Sequence, residues 1–175
     1  ESADIEVASI AIRAPDGAPL PPGIVDDSAI RAVDAALSRG RDVLLHVLDC
    51  SKTGLVGVSR DLARRLMRAN AGRLHVVVDA CQVRCAPSQI RADLGDGFTV
   101  MITGSKLAGG PPFCGALLLP ASVVADVAAS RLVIPSGLAT LSAIGDWPAA
   151  LRRWCEGRLT VPANLGLGLR WTAAL

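Results

Sequence analysis

Three short polar stretches, each closely following an apolar run, hold the side chains able to do chemistry. They are Ser51-Lys52-Thr53-Gly54 after Val43 to Leu48, Asp79-Ala80-Cys81-Gln82 after Leu74 to Val78, and Thr103-Gly104-Ser105-Lys106 after Phe98 to Ile102. In a parallel sheet, ligands bind at the carboxyl ends of strands, so these positions are inspected first. An aspartate at a strand end beneath a solvent-poor crevice is costly unless it meets a cation or hydrogen-bond donors. A protonated pyridine nitrogen is one such partner, and a carboxylate holding that proton keeps the ring an effective electron sink. The plainer alternative is that Asp79 caps the next helix. Lys52 and Lys106 are the only lysines, so an amine nucleophile has two candidates. A lysine desolvated in a cleft near a cation has its pKa lowered and can form an imine with an aldehyde; a solvated surface lysine is the alternative.

The elements that must position these residues are read from the apolar pattern. Short β-branched runs alternate with longer helical stretches, the signature of βαβ units and a mostly parallel sheet. The expected strands are Ile5 to Ile12, Val43 to Leu48, Leu74 to Asp79, Phe98 to Ile102 and Gly115 to Leu119. The second, third and fifth are near-continuous apolar runs, as for strands buried on both faces inside a sandwich of helices. Asp26, Asp27 or Ser28 can cap a helix with Ile30, Val33 and Leu37 at helical spacing and Gly40 as its stop. Ser59 can cap a second helix in which Leu62 and Leu66 fall four apart before Gly72. Pro15 to Gly23 reads as a surface loop. Further helices are expected over Ser122 to Ala129 and Trp147 to Trp154, and the apolar end at Leu175 reads as a break within an element. There is no internal repeat.

At 175 residues the chain has the length of one domain with a real core. A formal charge of +2, with no basic stripe or acidic block, names no nucleic-acid or membrane partner. The longest apolar runs fall far short of the roughly 20 residues a membrane helix needs, and the acidic start does not read as a signal peptide, so a cytoplasmic protein is expected. Five cysteines without repeated spacing argue against a disulfide framework. Cys81 and Cys85 could share a helical face, but no second ligand pair is present downstream, so no metal is expected. Neither of the glycine-rich phosphate motifs, Gly-x-Gly-x-x-Gly or Gly-x-x-x-x-Gly-Lys-Ser/Thr, occurs after a strand, which weighs against a nucleotide-binding domain.

The run Leu74-His75-Val76-Val77-Val78-Asp79-Ala80-Cys81-Gln82 resembles the strand ending in Asp-Ala-x-Gln of fold-type-I pyridoxal-phosphate enzymes, class V aminotransferase and cysteine desulfurase branch. The stretch Thr103 to Leu119 resembles that family's Ser-Gly-His-Lys-x-x-Gly-Pro-x-Gly-x-Gly-Ala-Leu segment. The resemblance covers Val43 to Leu119. It implies a three-layer αβα fold with a mostly parallel sheet, the major domain of a pyridoxal-phosphate-dependent transferase. Residues 1–175 would then be a large-domain fragment, without the N-terminal phosphate-binding segment and the C-terminal small domain. By the same resemblance Lys106 forms the internal aldimine with pyridoxal 5'-phosphate, and Asp79 pairs with the ring nitrogen. Gln82 hydrogen-bonds the phenolic oxygen, and Thr103 contacts the phosphate. Ser51 stands where the family's Asn-x-Thr-Gly loop has asparagine, and Ser105 where it has histidine. No cysteine occupies the desulfurase position convincingly. The implied activity is an aminotransferase-like reaction on amino-acid or keto-acid substrates, in a homodimer when full length. Other pyridoxal chemistry, such as a lyase or desulfurase reaction, and a non-catalytic scaffold are the alternatives.

Overall fold

Two prolines set where the first helix begins. Pro21 is extended and Pro22 occupies the first helical position, where a missing N–H costs nothing, so α1 spans Pro22–Ser38 and starts earlier than the Asp26 to Ser28 cap expected from sequence. Val25, Ala29 and Val33, four apart, form its buried stripe. Gly40, with φ of +77°, comes just after the helix end as expected. The computed structural model describes residues 4–130, 134–155 and 157–175. They fall into two compact units, Glu1–Asp79 and Ala80–Leu175.

In the first unit, β1 (Val43–Leu48) and β2 (Leu74–Asp79) pair in parallel, from Val43 opposite Leu74 to Leu48 opposite Asp79. Leu45, Val47, Leu74, Val76 and Val78 are buried, and helices α1 and α2 (Arg60–Ala69) pack against these strands. Each such side chain contributes roughly 1.5–3 kcal/mol. Leu44, His46 and His75 alternate with them and are exposed, Leu44 by 68%. This corrects the expectation of strands buried on both faces: among the described residues of this unit, helices cover one face. An apolar run alone cannot distinguish the two arrangements, because Leu44 and Val77 satisfy either.

Ser59 caps α2 as expected, its Oγ accepting the Leu62 N–H at 3.2 Å. Asp26, inside α1, holds this cap in turn, accepting the Ser59 N–H at 2.8 Å and the Ser59 hydroxyl at 2.6 Å. Ser59→Ala removes an N-cap and one donor to Asp26 together. Its expected cost is roughly 2 kcal/mol in urea unfolding, against a few tenths for an uncapped surface serine.

The expected strand Ile5 to Ile12 does not form. Residues 4–11 are irregular and a single antiparallel bridge joins Arg13 to Pro19. Alternation of β-branched residues is present, but Ile5 and Val7 are exposed and no ladder pairs them. Side chains hold the segment instead, Arg41 to Asp4 at 2.8 Å and Arg39 to Glu6 at 3.0 Å. The hydrogen bond from Arg41, then its charge, keeps the Asp4 carboxyl below the usual range. A carboxyl lowered on folding contributes stability that is present above its unfolded value and lost as pH falls through the folded one. The Asp4–Arg41 tether is therefore expected to release only below the ordinary carboxylate range. In an NMR titration, Arg41→Gln should raise the Asp4 midpoint toward that range.

The second unit opens on α3 (Pro87–Gly95), again with proline at its start. Strands β3 (Thr99–Thr103) and β4 (Gly115–Leu118) pair antiparallel, Val100 opposite Leu118 and Thr103 opposite Gly115. Helix α3 packs on β3, and Phe98 and Val100 are fully buried. Leu117 in β4 is 55% exposed, so this strand too is not covered on both sides. Helices α4 (Ala121–Ala129), α5 (Ser136–Leu141), α6 (Arg152–Cys155) and α7 (Leu165–Ala174) complete the unit. The helix expected over Trp147 to Trp154 is present as a 3-10 turn, Ala149–Leu151, that runs directly into the single turn of α6. Pro148 sets its start at Ala149, since the residue before a proline is pushed from helical to extended backbone and Trp147 has ψ of 144°. Ile134, Cys155 and Leu159 form a core cluster against which Ala139, Ile144 and Trp147 pack. The fold is α/β with strands of mixed direction, where the sequence pointed to a mostly parallel sheet. No helix among the described residues is long and apolar enough to cross a membrane.

Candidate functional site

Asp79 is the last residue of β2, and its side chain is 27% exposed. The next helix, α3, begins at Pro87 with Ala86 as its N-cap, and that cap makes no side-chain hydrogen bond. The N-cap position of α3 is thus Ala86 and not Asp79. His46 Nε2 of β1 lies 3.8 Å from Asp79 Oδ2, an ion-pair distance when the imidazole is protonated and too long for a hydrogen bond. Sequence reasoning missed His46. Its signal was the register: His46 is opposite Val77, so Asp79 is its diagonal neighbour on the outward face.

Gln82 is half-buried in the turn after β2. The Ala80 N–H donates to the Met101 carbonyl at 3.0 Å, and the Val83 N–H closes the turn on the Ala80 carbonyl at 2.8 Å. Val83 has φ of +51°, a conformation that a β-branched residue adopts at a cost of about 1–3 kcal/mol. Strain of this kind collects beside working residues, and here it falls immediately after Gln82.

Ser51 Oγ is spent on its own loop. It accepts the Leu55 N–H at 3.0 Å and the Thr53 N–H at 3.3 Å and lies 3.1 Å from Thr53 Oγ1. Arg13 reaches the same Thr53 hydroxyl at 2.9 Å. A short polar side chain of this kind supports the turn by accepting N–H groups two and four residues on. Lys52 in this loop is exposed.

Lys106 lies three residues beyond the end of β3 in an exposed turn, not in a desolvated cleft. Thr103 is buried, and its hydroxyl donates to the Cys114 carbonyl at 2.6 Å while accepting the Ser105 N–H at 3.2 Å. A hydroxyl has one proton to give. Its proton, directed to the Cys114 carbonyl, holds the base of the Lys106 turn. Sequence could not show this, because the acceptor comes from Cys114, eleven residues away.

A pyridoxal ring needs an anion for its nitrogen, an amine for its aldehyde and a donor for its phenolic oxygen. Asp79, Lys106 and Gln82 are of the right kinds. Cys114 and Cys155 are buried, and burial raises the Cys155 thiol above its ordinary value, which suits neither to nucleophilic work. No group of three or more His, Cys, Asp or Glu that could hold a metal ion occurs among the described residues. Comparison of the chain with family models, with curated proteins and with solved structures finds no match.

Proposed function

We propose that the chain is the cofactor-binding part of a pyridoxal-phosphate-dependent, aminotransferase-like enzyme acting on amino-acid or keto-acid substrates. The observation that carries this reading is the pair of motifs, each at the carboxyl end of a strand: Asp79 closes β2, and Lys106 comes three residues after β3. When bound, the cofactor supplies an electron-withdrawing ring that takes up negative charge from the substrate α-carbon. Asp79 would hold the ring N–H, and the Gln82 amide would donate to the phenolic oxygen. The Lys106 amine would hold the cofactor at its aldehyde and would hold or move a proton at the substrate α-carbon. Other chemistries use the same groups, so the class of reaction is assigned by resemblance. A cytoplasmic homodimer belongs to the same proposal.

A specific observation favours a second reading, a scaffold that keeps the fold without productive cofactor binding. Lys106 is exposed and the Thr103 hydroxyl is committed to Cys114. One experiment separates the two. The protein is incubated with pyridoxal phosphate, reduced with borohydride and digested. The enzyme reading expects the trapped cofactor on the Lys106 peptide, with little on Lys52; equal labelling of both lysines, as for any exposed amine, supports the scaffold.

A further inference from the structure

Two glycines flank Lys106, and neither is there for its backbone angle, since only Gly109 in this turn has a positive φ. They are there for space. A Cβ on Gly104 would meet Ala174 Cβ at 2.7 Å, Cys114 Sγ at 2.8 Å and Trp171 Cζ3 at 3.3 Å. A Cβ on Gly110 would meet Ala174 Cβ at 2.6 Å and the Gly104 carbonyl oxygen at 2.8 Å. Both ends of the turn therefore rest against the last turn of α7. The same two residues tie the turn shut, with the Gly110 N–H donating to the Gly104 carbonyl at 2.8 Å and the Gly104 N–H to the Cys114 carbonyl at 2.8 Å. Between them the Gly109 N–H donates to the Lys106 carbonyl at 3.0 Å. Trp171 and Ala174, three apart, share one face of α7. The helix start is fixed by Asn164, whose Oδ1 accepts the Leu167 N–H at 3.0 Å.

We infer that α7 is the seat of the Lys106 turn, with Ala174 and Trp171 as positioning residues for the Lys106 amine. Backbone pressed directly on a helix has no flexible side chain to absorb a shift, so movement of α7 is passed to both ends of the turn. Its catalytic meaning rests on the cofactor reading proposed above; the mechanical coupling does not.

The test enlarges the seat from the helix side. Ala174→Leu drives a larger side chain into the close contact with Gly104 and Gly110, and Ala174→Gly removes the methyl without a clash, serving if the larger side chain prevents folding. Leu169→Gln, at an exposed position of the same helix, is the control. Two cofactor-free readouts are amide exchange of the Gly109 and Gly110 N–H groups and the Lys106 to Lys52 ratio in trace acetylation with acetic anhydride. The third readout is borohydride trapping of pyridoxal phosphate. Ala174→Leu should speed exchange at both glycines, change the acetylation ratio and lower trapping at Lys106 by about tenfold or more. Ala174→Gly should move each in the same direction by less, and Leu169→Gln should move none. Folded Ala174 variants with wild-type exchange and acetylation would overturn the seat. If those two readouts change while the wild-type protein traps no cofactor preferentially at Lys106, the coupling stands and the cofactor reading falls.

Discussion

Replacing Lys106 with alanine is expected to abolish borohydride-stable capture of pyridoxal phosphate, whereas Lys52→Ala should leave it intact. The contrast is clean because the chain has no other lysine. Both side chains are exposed and both lie just beyond a strand, so general amine reactivity would not distinguish them. The difference lies in the Lys106 turn, closed by Gly110 to Gly104 and anchored through Thr103 and Cys114. Loss of proton transfer alone should cost roughly 10²- to 10⁴-fold in turnover, and loss of the amine that holds the cofactor adds to it. Asp79→Asn should retain capture at Lys106 but shift the absorbance of the bound cofactor, because an amide cannot balance a protonated ring nitrogen as a carboxylate does. Capture that survives Lys106→Ala in full would sink the proposed function.

Arg60→Ala should be strongly destabilising to the first unit. Asp49 is 6% exposed, and Arg60 donates to its Oδ1 at 2.6 Å. The Asp49 backbone is fixed too, its N–H donating to the Asp79 carbonyl at 3.0 Å, so the side chain cannot readily swing out to water. Removing the guanidinium strands a buried carboxylate, at an expected cost of about 3–5 kcal/mol. For a chain of this length that is a fall in Tm on the order of 10 °C. The double change Arg60→Met with Asp49→Leu should cost much less, since it removes the charge that would be left unpaired. Equal losses for the single and double variants in urea unfolding would show that packing by the arginine stem, not the charge, sets the effect.

The helices and strands nearest the candidate site were the most legible. Strands β1 and β2 stand where their apolar runs placed them, and Ser59 caps α2 as its position before Leu62 indicated. Local chemistry suffices there, because a strand run or a cap is written in neighbouring residues. Expectations failed where the deciding partner was distant or where one residue overrode a pattern. Ile5 to Ile12 has strand composition but no ladder, Pro148 moved the start of a helix expected from Trp147 to Ala149, and Leu44 in a continuous apolar run is exposed. Helical spacing of Ile30, Val33 and Leu37 in α1 was visible, yet the buried stripe is Val25, Ala29 and Val33, and the start was set by Pro21 and Pro22 and not by the acidic candidates downstream.

The amino-acid order by itself determined which groups stand at strand ends: a carboxylate at 79, an amide at 82, an amine at 106. It did so because strand and turn propensities act over a few residues and so place the adjoining polar groups. Tertiary structure decided how those groups are spent. It put His46 beside Asp79, turned the Thr103 proton toward Cys114 and set Gly104 and Gly110 against Ala174. Those outcomes depend on register and close packing between residues far apart in the chain, and on how few protons and how little space each group has to share.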